Sequence, residues 1–175
     1  MPDLPQVAAF DTGFHRSNPD VARRYALPDR AETAALRRYG FHGISYESLV
    51  QNFPQTTGAD LPRRLLALHL GNGASLCAIL EGQSVATTMG FSPLSGLTMG
   101  TRAGEIDAGA VLHLVRDVGL AEAQTLLHHE SGLLGLSGLT ADMRQLAETD
   151  SDAARFARDH FCYWITRQAG SMIAA

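Results

Sequence analysis

The residues from Leu65 to Leu80 read Leu65-Leu66-Ala67-Leu68-His69-Leu70-Gly71-Asn72-Gly73-Ala74-Ser75-Leu76-Cys77-Ala78-Ile79-Leu80, two apolar runs joined by Gly-Asn-Gly. Runs this short, bounded by turn residues, read as strands, and the join closes them into a tight β-hairpin. Gly71 and Gly73 can adopt positive φ and bare their backbone N–H groups with no Cβ in the way, which allows a small anion-binding concavity at the tip. His69 adds an imidazole, Asn72 an amide and Ser75 a hydroxyl. Taken alone, Gly-Asn-Gly is also what an ordinary hairpin turn looks like, so the neighbouring segments must decide between the two.

Glu81-Gly82-Gln83 predicts a second turn, so strands at 64–70, 74–81 and 84–89 form an antiparallel meander. Upstream, Gln6-Val7-Ala8-Ala9-Phe10 predicts a strand that delivers Asp11 to the exposed loop Asp11-Thr12-Gly13. Asn18, with Pro19 next, caps a short helix that runs to about residue 25 and stops at Leu27-Pro28. Residues 37–45 read as a glycine-punctuated loop, and a helix follows over 46–52. Beyond the meander, 90–104 is a long loop of the kind that usually serves function. After Asp107 the period becomes helical, with Ala110, Val111, Leu114, Val115 and Val118 on one face and Gly119 as the stop. A helix over 121–129, a glycine and leucine loop over 132–138, a helix capped at Thr140-Ala141-Asp142 and a long helix from Asp152 complete the plan. Strands followed by helices make an α/β protein. The first strand begins almost at residue 1 and the last helix runs out uncapped at Ile173-Ala174-Ala175, so the chain reads as cut inside an element at each end.

With 45% hydrophobic and 18% charged residues in 175, the chain has the composition of an ordinary globular domain, large enough for a real core. Its net charge is −4 and its arginines occur singly or in pairs, as in Arg23-Arg24, Arg37-Arg38 and Arg63-Arg64, so no basic stripe suits a nucleic acid. No window is apolar for long enough to span a bilayer, and Met1-Pro2-Asp3-Leu4-Pro5 lacks the features of a signal peptide, which makes the cytoplasm the expected location. Cys77 lies in an apolar strand and Cys162 in a helix with no CxxC, so both are expected as buried thiols rather than metal ligands or a disulfide. The expected partner is a small molecule.

Four features carry chemistry. Asp11, in Ala9-Phe10-Asp11-Thr12-Gly13, has the look of an aspartic protease motif, but there is one copy, Phe14-His15 follow it and the second half of the chain is helical, which argues against that class. His42 and His69 each lie beside glycines; a lone histidine is more often a satisfied polar group, and two on glycine-lined loops improve the case for chemistry. His128-His129 are adjacent on a helix, point in different directions and lack metal-ligand spacing. Arg102, between Gly100 and Gly104, suits a multiply charged oxyanion, with a salt bridge to Glu105 or Asp107 as the equal alternative. An anion hairpin, an acid at a strand end, a histidine on a glycine loop and a fixed arginine are together the equipment of phosphoryl transfer.

Read in order, Phe10-Asp11-Thr12-Gly13-Phe14-His15, Arg38-Tyr39-Gly40-Phe41-His42-Gly43, His69-Leu70-Gly71-Asn72-Gly73-Ala74-Ser75, Met89-Gly90-Phe91-Ser92-Pro93-Leu94 and Met99-Gly100-Thr101-Arg102 closely resemble the acetate kinases, and the likeness continues through Ser131 to Gly138 and Asp142-Met143-Arg144. The resemblance implies a ribonuclease H-like (actin-like ATPase) fold, here incomplete, with an antiparallel meander followed by helices. It implies that residues 1–13 end a first domain or form the hinge, and that 14–175 begin a second, nucleotide-binding domain. The implied activity is reversible in-line transfer of a phosphoryl group from ATP to acetate, giving acetyl phosphate and ADP, with Mg²⁺ or Mn²⁺ and with no metal ligand inside this chain. It also implies a homodimer for the full-length protein.

Carried over motif by motif, His69, Leu70, Gly71, Asn72 and Gly73 resemble the hairpin that cradles the nucleotide phosphates, and Asp142, Met143 and Arg144 the segment that meets the nucleoside. Phe41 and Pro93 resemble walls of the acyl pocket, Arg102 and His42 the pair that stabilises the transferring group, and Asp11 the catalytic acid. Acetate is already ionised at neutral pH, its carboxyl titrating near about 4, so no proton need leave the nucleophile. Asp11 is therefore expected to order the metal shell or to orient Arg102 or His42. Two departures stand out: Tyr46 occupies the place where the family commonly has a second histidine, and Gly13 the place of an alanine. The chain is also less than half the family's length, so a catalytically inactive fragment and a propionate or butyrate kinase are the alternative readings.

Overall fold

The computed structural model describes residues 4–175. A 3₁₀ turn over Gly13–Ser17 and a one-turn helix α1 (Asp20–Arg23) lead to α2 (Gly43–Thr57), the strands β1 (Arg64–Leu70), β2 (Ala74–Leu80) and β3 (Gln83–Thr87), then α3 (Ala108–Val118), α4 (Leu120–His129), α5 (Gly132–Ser137), α6 (Met143–Glu148) and α7 (Asp152–Ile173). The sheet order is β1-β2-β3, antiparallel throughout. The register pairs Leu70 with Ala74 around the first tip and Leu80 with Gln83 around the second. At the second turn Glu81 and Gly82 both have positive φ, the geometry whose twist matches a two-residue hairpin.

The middle strand organises the core, because six of its seven residues are buried and successive side chains alternate between faces. On one face Ala74 and Leu76 join Met89, Leu97 and Met99, and α7 lays Phe161, Ile165, Ala169 and Met172 against them. On the other, Cys77 and Ile79 join Ala67 and Tyr46, with Leu49 and Val50 of α2 beside them. The sheet is thus held between α2 and α7. A third cluster of Leu133, Leu146, Ala154 and Ala157 ties α5 and α6 to α7. Side-chain caps start three helices: Asp107 accepts from Ala110 N–H, Asp142 from Arg144 N–H and Ser151 from Ala154 N–H.

The structure departs from the sequence reading in several places. Residues 6–10 are not a strand: Val7 is 92% and Phe10 73% exposed, and no neighbouring strand among the described residues takes up their backbone groups. The first helix is one turn long with Pro19 at its N-cap, and α2 extends beyond 46–52 in both directions, passing Pro54 in its last turn. Residues 132–138, expected as a loop, contain α5. Its first N–H groups are satisfied from outside, since Leu133 donates to Met99 O and Leu134 to Gly100 O, and these tertiary bonds override a glycine-rich sequence. The apolar face of α3 is only half-covered, with Ala110 and Val118 exposed. Cys77 is buried as expected, and its thiol is pushed up to about 11 by burial, whereas Cys162 is exposed.

Buried His15 fastens the 3₁₀ turn to the sheet and to the segment before α2, with Nδ1 at 2.8 Å from Ser84 Oγ and Nε2 at 2.9 Å from Phe41 O. Burial lowers its pKa, opposed by the Phe41 carbonyl and by Asp11. A histidine depressed in the native state binds its proton more readily when unfolded. Its contribution to stability is therefore complete above the ordinary value of 6.5 and is lost as the pH falls through the native value. The urea midpoint should fall on acidification below pH 6.5, and His15→Gln should lower the midpoint at neutral pH while shrinking that acid-side decline.

Candidate active site

The alternation that builds the core also places the polar groups. Ser75 is the cross-strand partner of His69. Both therefore lie on the sheet face that carries Ala67 and Cys77, the face covered by α2. The first turn of α2 meets them there: Ser45 Oγ is 3.0 Å from His69 Nδ1, and Tyr46 Oη is 2.5 Å from Ser75 Oγ.

His42 precedes α2 in the left-handed conformation, at φ 59°. Asp11 holds it there from two sides. The Asp11 carboxylate accepts the His42 backbone N–H at 2.8 Å, and the Asp11 carbonyl accepts the Gly43 N–H at 2.8 Å. A side chain at Gly43 would collide with that carbonyl, so glycine is required at this position. The His42 ring stacks on His69 with centroids 3.9 Å apart and directs Nδ1 to Ser75 Oγ at 2.9 Å.

The opposite ring nitrogen of His42 reaches the hairpin tip. A Cβ built on Gly73 would lie 3.2 Å from His42 Nε2 and 3.3 Å from Arg102 Nη1, so both nitrogens converge beside a residue with no side chain. The tip is tied to the 90–104 loop, with Gly100 N–H donating to Asn72 O at 2.9 Å and the Asn72 side chain packed against Gly100. Neither Gly71 nor Gly73 has positive φ, contrary to the sequence expectation. Their lack of a Cβ serves close approach instead. Arg102 is anchored by Pro93 O at 3.1 Å, and among the described residues no carboxylate lies within ion-pair distance of it. The salt bridge to Glu105 or Asp107 does not form.

Burial drives the His42 pKa down to about 4, helped by His69 and Arg102 and opposed by Asp11. Its imidazole is therefore neutral at pH 7. The site thus combines a permanent cation with a neutral ring that still has one N–H to offer, an arrangement suited to an anion with several oxygens.

The remaining predicted residues surround this centre unevenly. Phe41 packs on the Ala74, Leu76 and Met89 cluster, and Pro93 meets Arg102 through its carbonyl. Leu70, half exposed, closes β1 next to the tip. Asp142 and Arg144 satisfy each other, with Arg144 Nη2 at 2.8 Å from Asp142 Oδ2, and this contact holds the carboxyl below its usual range. They approach the tip through Ala141, which lies beside Gly100 and Asn72. Met143 instead packs into the Leu133 and Leu146 cluster. Ser45 binds His69, Ser75 binds His42 and Tyr46 binds Ser75, and the sequence assigns none of these contacts. The available signal was spacing: Ser75 is symmetric with His69 about the tip, and Ser45 and Tyr46 lie within one helical turn of His42. Among the described residues no cluster of three or more His, Cys, Asp or Glu is placed to hold a metal ion.

The chain as a whole is similar to known proteins. The acetate kinase of Nitrobacter hamburgensis is 47% identical over all of this chain, which spans 44% of that relative. A crystal structure of Porphyromonas gingivalis acetate kinase superposes with a TM-score of 0.87 at 35% identity, covering 94% of this chain and 43% of the other. A propionate kinase from Francisella tularensis superposes with a TM-score of 0.89 at 34% identity, covering 99% and 46%. The chain spans less than half the length of each. The family profile described as the acetokinase family matches residues 1–175, and the chain belongs to that family.

Proposed function

We propose that these residues form the transferring side of a site that moves a phosphoryl group between ATP and acetate, giving acetyl phosphate and ADP reversibly. The convergence of His42 Nε2 and Arg102 Nη1 beside Gly73 carries this reading. In-line transfer spreads charge over the equatorial oxygens of the moving group, and donors already aimed at that position stabilise it without reorganisation. Arg102 supplies fixed charge and His42 a neutral donor. His69, Leu70, Gly71, Asn72 and Gly73 line the nucleotide phosphates, Asp142 and Arg144 release each other to meet the nucleoside, and Phe41 and Pro93 bound the acyl group.

Asp11 acts by orientation. Its carboxylate is committed to the His42 backbone N–H, which fixes where the imidazole points. A divalent cation, Mg²⁺ or Mn²⁺, belongs to the nucleotide in this reading. Mg²⁺ prefers phosphates, waters and one or two carboxylates to a dedicated protein cage. Residues 1–13 are assigned to the end of a first domain or the hinge, 14–175 to the start of the nucleotide domain, and the full-length protein to a homodimer. The cytoplasm is the assigned location, and no described helix is long and apolar enough to cross a membrane.

The likeness to a propionate kinase favours a second reading in which the acyl group is longer. Coupled measurement of ADP formation with MgATP and acetate, propionate or butyrate tests both. Turnover with acetate as the preferred acceptor is expected; preference for a longer acid would replace acetate. Nucleotide binding with no turnover by any acid would identify the chain as a noncatalytic piece.

Within an active protein, Arg102→Ala should lower kcat by about 10²–10³-fold with little change in ATP binding. Asp11→Ala should lower kcat by about 10²-fold. Asp11→Asn should cost less, because an amide oxygen can still accept the His42 N–H, and equal losses in the two variants would assign the role to the charge itself.

A further inference from the structure

Behind His42, away from the face that meets the hairpin tip, lies a short run of hydroxyls that the proposed transfer does not use. Ser75 Oγ is bonded on one side to His42 Nδ1 at 2.9 Å and on the other to Tyr46 Oη at 2.5 Å. Ser75 is 0% and Tyr46 1% exposed, so neither hydroxyl can turn to water. Resting on the phosphoryl-transfer reading above, we propose that Ser75, seated by Tyr46, is a positioning residue that keeps the His42 ring in its Nε2–H form and so makes the nitrogen beside Arg102 a donor.

Counting hydrogens sets the direction of the run. Each hydroxyl has one proton to place, and an imidazole nitrogen can accept or donate according to tautomer. If Tyr46 donates to Ser75 and Ser75 donates to Nδ1, every proton has an acceptor and the ring proton sits on Nε2. If Nδ1 carries the proton and donates to Ser75, then Ser75 must donate to Tyr46, and the Tyr46 O–H is left without an acceptor among the described residues. If both neighbours donate to Ser75, the Ser75 proton is stranded instead. An unpaired hydroxyl in a fully buried place costs more than a hydrogen bond returns, so only the first arrangement survives.

The other groups around the ring do not compete for Nδ1. Asp11 uses its carboxylate on the His42 backbone, His69 stacks on the ring face and directs its own Nδ1 to Ser45, and Arg102 lies on the Nε2 side. His15 is committed to Ser84 and Phe41. The depressed His42 pKa agrees with a ring held neutral, and protonating Nδ1 would require the stranded arrangement. Burial also raises the Tyr46 phenol, so it keeps its proton as the run requires.

The test reads the ring directly in this chain labelled with ¹⁵N-histidine, with no substrate and no need for turnover. Long-range ¹H–¹⁵N correlation at pH 7 should show His42 with an unprotonated Nδ1 and a protonated Nε2. A proton on Nδ1, or on both nitrogens, would overturn the proposal. In Ser75→Ala, shown to be folded by its backbone amide spectrum, the two nitrogens should move toward a tautomer average; ring shifts identical to those of the unaltered chain would also overturn it. Tyr46→His offers a residue that accepts as readily as it donates, so a mixed tautomer is expected there, and an unmixed Nε2–H ring would remove Tyr46 from the assignment. Where turnover is measurable, Ser75→Ala should lower kcat about tenfold at unchanged KM for ATP. Because the spectra do not depend on acetate or ATP, failure of the tautomer assignment and failure of the phosphoryl-transfer reading give different results.

Discussion

β2 is buried on both faces, and every other part of the structure is arranged by that condition. An antiparallel strand at a surface can leave alternate side chains in water; this one cannot, because α7 covers Ala74 and Leu76 while α2 covers Cys77 and Ile79. The alternation that assigns Leu76 to one layer assigns Ser75 to the other. A serine inside a closed layer must find partners, and His42 and Tyr46 are what α2 brings to it. Core packing and site assembly are thus consequences of one strand's register, and a one-residue slip would send Ser75 to the wrong helix.

The site gains its character from an asymmetry around His42. On one side are buried hydroxyls and the committed carboxylate of Asp11; on the other are the Arg102 guanidinium, held by Pro93 O, and the bare backbone of the hairpin tip. Burial, His69 and Arg102 keep the ring neutral, so charge is concentrated on Arg102 while His42 contributes direction. This division suits a transferring group whose negative charge is spread over several oxygens, since a fixed donor needs no proton movement to act.

Much of this was legible in the sequence where the signal is local. The three strands, their two turns, the Asp142 cap and the stop at Gly119 follow from neighbours within a few residues, and β1 was placed at its observed limits. The failures were places where a distant partner decides. Residues 6–10 have strand composition and, among the described residues, no strand beside them, and α5 has glycines and becomes helical because the carbonyls of Met99 and Gly100 accept its first N–H groups. Gly71 and Gly73 serve close approach rather than positive φ, a distinction that depends on the neighbours around them.

By itself the sequence determined the meander, the family resemblance and the residue types available for an oxyanion, because period, turn chemistry and ordered motifs are written in adjacent positions. Tertiary structure decided which of those residues meet. It set Asp11 on the backbone of His42, tied Arg102 to the Pro93 carbonyl, folded Arg144 onto Asp142 and closed Ser75 between a phenol and an imidazole. These outcomes depend on contacts across 31 and 33 residues, from Asp11 to His42 and from His42 to Ser75, and on burial that makes an unpaired polar group costly. Spacing can place Ser75 opposite His69, but it does not show which distant groups meet there.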